Sequence, residues 1–383
     1  MGACGGRAHV AGDAGRSDGG CRDVDGDSVD AAECGGQDCD DSDPTVHPGA
    51  PDGWLVERVS AFRGLGRSAP VLVSEDSVFV GFDSGTEPEV LIAERAKGWA
   101  AEPVSAGYLQ DAGWSPIDDN AHFLVTEADG HLDHVWGQPP DWSADTVDIG
   151  EDASLVLDAS LTTHVIYANR TEVRHAIDTP DGWVSEALLT WSTPKLDSPC
   201  VDVHGIGVDG GGRVHAAATA MAFCAEDEFF TAQPWYFTQQ EGTWTREVAP
   251  LGGRQAWFRV ATDGTPFFFA VSTGVARVAW LEDGGWMADS VEVDPEISQT
   301  IDMTSDQGGA FDAAVLRGGR VLHVRREDGE WTEEVIDANR GWNFSIDVSY
   351  DVIHVAYQTD DGLYYARAAR PNGVDDDCDG LIW

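Results

Sequence analysis

One short segment recurs along the chain, and its spacing restricts the fold more than any other feature. It consists of a tryptophan, two or three further residues, an acidic residue and an aliphatic residue. The seven copies begin at Trp54, Trp99, Trp142, Trp183, Trp244, Trp286 and Trp331. Most intervals are 41 to 45 residues, and one, between Trp183 and Trp244, is 61 residues. A period of this length indicates stacked structural repeats.

The residues upstream of each tryptophan alternate apolar and polar side chains between Gly and Asp residues. This alternation is typical of short, half-buried antiparallel strands joined by tight turns. Four strands in about 40–45 residues form one blade of a β-propeller. The sequence therefore predicts an all-β fold over residues 53–370, a seven-bladed β-propeller of four-stranded antiparallel blades.

The two ends of this region complement each other. The last repeat predicts strands at 343–350, 352–358 and 363–369 but lacks a fourth strand, whereas the first tryptophan segment, 53–59, has no strands before it. We expect the N-terminal segment to supply the outer strand of the last blade. This closure would remove the open sheet edges that a broken ring leaves.

The repeat resembles the sialidase-like propeller repeats of exported bacterial proteins. The strongest likeness is IHVAYQTDDGLYYARA at 353–368, and the looser ones are THVIYAN and HFLVTEADGHL. The resemblance implies a fold and no particular activity, because one fold hosts many functions. No arginine cluster, nucleophile elbow, phosphate-binding loop or zinc motif accompanies the repeat.

Both termini are rich in Asp and Cys, and together they resemble the MopE-type metal-binding motif of bacterial surface proteins. Residues 21–52 correspond to its first half, and NGVDDDCDG, within 371–383, corresponds to its second half. We therefore expect the propeller to be inserted into the motif, whose halves reassemble as a small irregular module. Residues 1–20 are expected to be a leader or linker.

The candidate metal ligands form three groups of aspartates. They are Asp23, Asp25 and Asp27, then Asp38, Asp40, Asp41 and Asp43, then Asp375, Asp376, Asp377 and Asp379. Carboxylate oxygens suit Ca²⁺, whereas copper prefers His or Cys ligands and only His47 lies nearby. Calcium is therefore the expected ion and copper the less favoured one. The alternative is that these aspartates only cap turns.

Seven cysteines bear on the cellular compartment. The start MGAC resembles the tail of a bacterial lipoprotein signal, which makes Cys4 a candidate lipidation site; the alternative is an incidental cysteine in a leader. The other six suit disulfides in an oxidising compartment. Cys200 and Cys224 lie at two insertions of the fourth blade, and the pairing of Cys21, Cys34, Cys39 and Cys378 stays open. We expect a protein outside the cell or in its envelope.

Charge and composition limit the partners. A net charge of −45 argues against nucleic acid and against anionic lipid headgroups. No stretch approaches the roughly 18 apolar residues of a membrane span. We expect a monomer that binds a carbohydrate or protein ligand without catalysis. The alternative is a divergent glycan-active enzyme, sialidase-like or otherwise glycoside-processing, that uses acids and aromatic residues in the channel.

Two features offer places for a ligand. The long interval of the fourth blade falls at 189–199 and 220–234, whose aromatic residues suggest a binding face and could instead pack on one another. They are Trp191, Phe223, Phe229, Phe230 and Trp235. The central channel is the other place. Four histidines, His122, His164, His215 and His354, recur at one strand position that Phe79, Phe268 and Asp312 take in other repeats, so we interpret it as a packing position.

Overall fold

Short alternating strands and tight turns produce seven four-stranded antiparallel sheets in the computed structural model. The structure describes residues 54–61, 69–74, 77–84, 88–169, 171–190, 200–221, 234–240, 242–251, 256–261, 263–272, 274–292, 302–305, 310–327, 329–338, 341–349 and 352–369. Within these ranges the only helical segment is a three-residue 3-10 turn, Arg95–Lys97. No helix of that part of the chain has the length and apolarity needed to cross a membrane.

Each of the first six blades takes four consecutive strands. Blade 1 comprises β2 (Val71–Val73), β3 (Val78–Asp83), β4 (Glu89–Glu94) and β5 (Ala100–Ala106). Blade 2 comprises β6 (Tyr108–Ser115), β7 (Asn120–Thr126), β8 (His131–Gln138) and β9 (Asp141–Ile149). Blade 3 comprises β10 (Glu151–Leu157), β11 (Thr163–Ala168), β12 (Glu172–Ile177) and β13 (Val184–Thr190).

The second half follows the same order. Blade 4 comprises β14 (Cys200–Val208), β15 (Val214–Met221), β16 (Trp235–Gln240) and β17 (Thr243–Val248). Blade 5 comprises β18 (Ala256–Val260), β19 (Pro266–Ser272), β20 (Val275–Glu282) and β21 (Gly285–Glu292). Blade 6 comprises β22 (Asp302–Ser305), β23 (Phe311–Arg317), β24 (Arg320–Glu327) and β25 (Glu330–Asp337).

Blade 7 combines the two ends of the repeat region. It comprises β26 (Trp342–Ser349), β27 (Val352–Thr359), β28 (Gly362–Ala369) and, as its outer strand, β1 (Leu55–Ser60). The predicted closure by an N-terminal outer strand is therefore confirmed. The observed strands agree with the predicted ones to within two residues.

The first strands of the blades form the inner ring of the propeller. Each contacts the first strand of the next blade, and β26 of blade 7 contacts β2 of blade 1. The core lies between adjacent blades. For example, Phe267 and Phe269 of blade 5 pack with Phe311 and Val315 of blade 6. The closed succession of seven blades confirms the predicted fold class.

The repeated tryptophan and acid serve the junctions between blades. The indole Nε1 of Trp99 donates to Glu57, which belongs to the preceding copy of the segment, at 2.8 Å. Trp244 donates to Glu186 at 2.7 Å and Trp286 donates to Glu247 at 2.9 Å in the same way. At these three junctions the acid of one blade is thus bonded by the tryptophan of the next.

Strand pairing corrects one predicted equivalence. His122 lies opposite Trp136 on the third strand, and the residue opposite the corresponding Trp280 is Phe267. Phe267 packs toward blade 6, whereas Phe268 packs toward blade 4. Phe267 therefore occupies the recurring position, and the assignment of Phe268 was wrong by one residue, because neighbouring strand residues point to opposite faces.

The chain divides into two compact units. The larger contains residues 56–349 and 354–366, and it holds nearly all of the described strands. The smaller contains residues 1–55, 350–353 and 367–383. Its described residues are Trp54, Leu55, Val352, Ile353 and 367–369.

Candidate ligand site in the central channel

A cavity of about 270 Å³ lies in the central channel, and the first strands of the blades line it. The polar or aromatic side chains at its wall come from six blades. They are Gln110, Asp111, Asp152, Ser154, His204, Trp257, Phe258, Arg259, Asp302, Asn343, Phe344 and Ser345. Its size is near the lower end of the about 300–1,000 Å³ of small-molecule pockets.

Arg259 is the only arginine or lysine in the seven described first strands. Its Nη2 lies 3.3 Å from both carboxylate oxygens of Asp302. Within the described residues, its Nε and Nη1 have no hydrogen-bond partner. Although the blades surround it, its side chain is 48% exposed because it borders the cavity. The nearby charge of Asp302 is the main reason that the pKa of Arg259 is raised.

Two aspartates of the inner ring join neighbouring blades. Asp111 Oδ2 accepts hydrogen bonds from the Ser154 hydroxyl at 2.7 Å and the Leu155 amide at 3.0 Å, and its Oδ1 accepts one from the Ala112 amide. Asp302 accepts from the amides of Met303 and, in blade 7, Ile346. Most acceptor positions of both carboxylates are therefore occupied by structural hydrogen bonds.

Burial shifts the titration of groups around the cavity. It raises the pKa of Asp111, an effect that the charge of Arg259 partly offsets. Burial also raises the pKa of Asp347 on β26. The pKa of His204 falls to about 4 through burial, and its Nε2 lies 2.5 Å from the Thr219 hydroxyl, so this imidazole is neutral at physiological pH.

The recurring histidines lie away from the channel wall, inside the blades. His122 Nδ1 lies 3.0 Å from His134 Nε2, and His164 Nδ1 lies 3.1 Å from His175 Nε2. The four recurring side chains, those of His122, His164, His215 and His354, are all buried, as the packing interpretation predicts. No group of three His, Cys, Asp or Glu side chains suited to a metal ion occurs in the described part of the chain.

Most predicted site residues lie outside the described residues. These include all eleven candidate metal-binding aspartates, Cys4, Cys21, Cys34, Cys39, Cys224, Cys378, Trp191, Phe223, Phe229 and Phe230. Cys200 begins β14. Trp235 begins β16, where it is partly buried against the core between blades 3 and 4 and lies 5.1 Å from the Arg246 guanidinium.

Sequence reasoning named the channel but none of its residues. A usable signal was present, because Arg259 is an isolated base in the segment AWFRV of a chain with only 23 arginines and lysines. Its pairing with Asp302 of the next blade was beyond sequence reasoning, since the two residues are 43 positions apart.

Both ends of the chain match one family model. This model, Cu-binding MopE, is described as "Putative metal-binding motif", and it matches residues 38–53 and 366–382. The predicted split of a MopE-type motif around the propeller is confirmed. The match leaves out Asp23, Asp25 and Asp27, and its second segment begins inside β28. No curated protein matches the sequence.

Solved structures resemble the propeller. One is a polysaccharide lyase of family PL25, ulvan lyase, bound to -[GlcA(1-4)Rha3S]-; it is 12% identical over 80% of this chain and 94% of its own, with a TM-score of 0.55. Another is the SapL1 lectin in complex with alpha methyl fucoside, 13% identical over 73% of this chain and 99% of its own, with a TM-score of 0.49. Identities this low establish only the fold.

Proposed function

We propose that the protein is a non-catalytic binding propeller that takes a neutral, hydroxyl-rich ligand, such as a short glycan, in its central channel. The observation that carries this proposal is the half-exposed Arg259 guanidinium at the wall of the 270 Å³ cavity. Its Nε and Nη1 offer donors in a fixed geometry, because Asp302 holds Nη2. Sugar hydroxyls can accept from such donors and donate to the neighbouring carboxylates.

Charge favours a neutral ligand. Asp302 compensates the single guanidinium, and Asp111 and Asp152 add further carboxyl groups to the wall. The chain as a whole carries a net charge of −45. A polyanionic chain would therefore meet repulsion both on approach and inside the channel.

Binding is favoured over catalysis because the acids of the wall already have structural partners. Asp111 and Asp302 each accept backbone amides across a blade junction, so neither carboxylate is free to transfer a proton without loosening the ring. The competing function is a divergent glycan-active enzyme using the same channel, and the test below separates the two.

The test combines a glycan array with a panel of chromogenic glycosides. We expect binding of a neutral glycan without turnover, and an affinity about tenfold lower or worse in Arg259→Gln, since a hydrogen bond to a charged donor is lost. Gln110→Ala removes a neutral side chain from the same wall and should lower the affinity less than Arg259→Gln. Gln240→Ala, at the exposed end of β16, is its matched control. Turnover of any glycoside, or unchanged affinity in both channel variants, would contradict the proposal.

We also propose that the terminal motif binds calcium and that the protein acts at the cell surface or outside the cell, with Cys4 as its candidate lipid anchor. The matched segments are rich in carboxylates and contain one histidine, His47, a donor set that suits a hard cation.

The metal can be identified by dialysing the full chain against equimolar Ca²⁺ and Cu²⁺ and measuring the retained ions. We expect calcium to be retained, and Asp40→Asn with Asp376→Asn to abolish its retention. If bound calcium stabilises the fold, chelation should lower unfolding free energy by about 3 kcal/mol at a hundredfold excess over Kd. Retention of copper alone would overturn the calcium assignment.

A further inference from the structure

Trp136 of blade 2 and Trp280 of blade 5 occupy equivalent places. Each lies on a third strand, opposite the residue that follows the repeated tryptophan: Ser143 in blade 2 and Met287 in blade 5. On the other side they lie opposite the equivalent second-strand residues, His122 and Phe267. The surroundings of the two rings can therefore be compared position by position.

In blade 5 the chain covers the ring with its own cation. The Arg326 guanidinium of blade 6 lies 4.5 Å from the Trp280 ring centroid, within the range of a cation–π interaction. Its Nε donates to Asp289 Oδ2 at 2.8 Å. Ring, carboxylate and guanidinium thus form one complete arrangement across the junction.

In blade 2 the same arrangement lacks its cation. Asp145 corresponds to Asp289, since it lies three residues after the repeated tryptophan and pairs with the equivalent third-strand residue, His134. In blade 6, Arg326 follows Arg325, which pairs with Asp312 at the recurring second-strand position. In blade 3, Ile177 pairs with His164 at that position, so the next residue, Asp178, takes the place of Arg326. Burial, and then the charge of Asp145, raise the pKa of Asp178, so the two carboxylates repel each other.

Trp136 also borders an open groove. The groove has a volume of about 410 Å³ and is lined by Asn120, Trp136, Gly137, Gln138, Pro139, Asp141 and Ser143. The ring stacks on His134, with centroids 5.0 Å apart. No guanidinium or ammonium group of the described residues lies over it. Asp145 follows Asp141 and Ser143 on the same face of β9.

We propose that the junction of blades 2 and 3 binds a guanidinium group of a partner peptide or protein, an arginine side chain that stacks on Trp136 and bonds to Asp145 and Asp178. The chain itself shows the ligand chemistry at the equivalent junction, where Arg326 occupies this place. The high negative charge of the chain would draw a basic partner toward it.

Among the residues that the structure describes, no internal arginine competes for the place. Arg174, the arginine that blade 3 directs toward blade 2, is held by Glu172 and by the Ser185 hydroxyl at 2.8 Å. The groove is therefore open to a group from outside, and an arginine is favoured over a lysine because a planar guanidinium can stack and bond to carboxylates at once.

The test uses N-acetyl-arginine N-methylamide and its lysine counterpart, with tryptophan indole signals followed by NMR on the full chain. We expect the arginine probe to shift the Trp136 signal and to bind at least threefold more tightly than the lysine probe. Asp178→Arg should fill the place from within, as Arg326 does, and weaken arginine binding about tenfold. Trp136→Ala should weaken it to a similar extent.

Glu330→Arg is the matched control, since it makes the same charge change at an exposed position of blade 6. It should leave affinity within twofold of the parent. Equal weakening by Glu330→Arg and Asp178→Arg would reduce the effect to overall charge and overturn the proposal. Unchanged binding in Asp178→Arg, or equal affinity for the two probes, would also overturn it.

Discussion

Blades 2 and 3 differ from blade 5 at the second-strand position that faces the next blade. In blades 2 and 3 the position holds His122 and His164, each bonded to a third-strand histidine. In blade 5 it holds Phe267, beside Val278 on the third strand. The same backbone therefore accepts either a hydrogen-bonded imidazole pair or an apolar pair at this position.

The histidine pairs and the apolar pair differ in how their contribution to stability depends on pH. Burial lowers the pKa of His134 and of His175 to about 3, and the charge of the partner imidazole adds to the effect. Burial also lowers the pKa of His122 and His164. An apolar pair has no titrating group. Acid should therefore destabilise the histidine pairs of blades 2 and 3 and leave the apolar pair of blade 5 unaffected.

The largest expected effect is acid destabilisation. In the unfolded chain the histidines titrate near 6.5, so between about pH 6.5 and pH 3 the unfolded state binds more protons than the folded state. Stability is then complete above pH 6.5 and falls as the pH falls. At about pH 4.5 each pair should cost roughly 3 kcal/mol of unfolding free energy. Denaturant unfolding at pH 7.5 and about 4.5 measures the loss.

A double variant tests whether the histidine pairs cause this loss. His122→Phe with His134→Val gives blade 2 the residues of blade 5, and it should remove the share of this one pair, roughly 3 kcal/mol at about pH 4.5. Asp83 acts in the opposite direction, because burial raises its pKa to about 6. Asp83→Asn should therefore steepen the loss. An unchanged acid response in the double variant would show that other groups dominate it.

A smaller effect is expected at the tryptophan junctions. Trp286→Phe retains an aromatic ring between blades 4 and 5, where Trp286 contacts Tyr236 and Phe268, but removes the hydrogen bond to Glu247. We expect a loss of about 1 kcal/mol, since the bond is exposed on the side of Glu247. Thermal unfolding beside Glu247→Gln, which retains an acceptor, measures it. A loss above about 3 kcal/mol would mean that the ring itself was displaced.

The fold was predictable because its cause is local and repeated. Alternating residues in segments such as IHVAYQT and GLYYARA specify half-buried strands, and a period near 43 residues specifies the blade. Even the closure by β1 followed from counting strands at the two ends. The error at Phe268 arose where PFFFA offers three adjacent phenylalanines, so the pattern could not tell which one faces blade 6.

The channel and the junctions were less predictable because they join residues from different repeats. The sequence by itself determined the strands, their number and the split terminal motif, since each depends on neighbouring residues and on periodicity. Only the tertiary structure decided that Arg259 meets Asp302, that Trp244 bonds to Glu186, and that Asp178 takes the place of an arginine beside Trp136. The register between neighbouring blades sets these pairs, and that register results from packing across the whole ring.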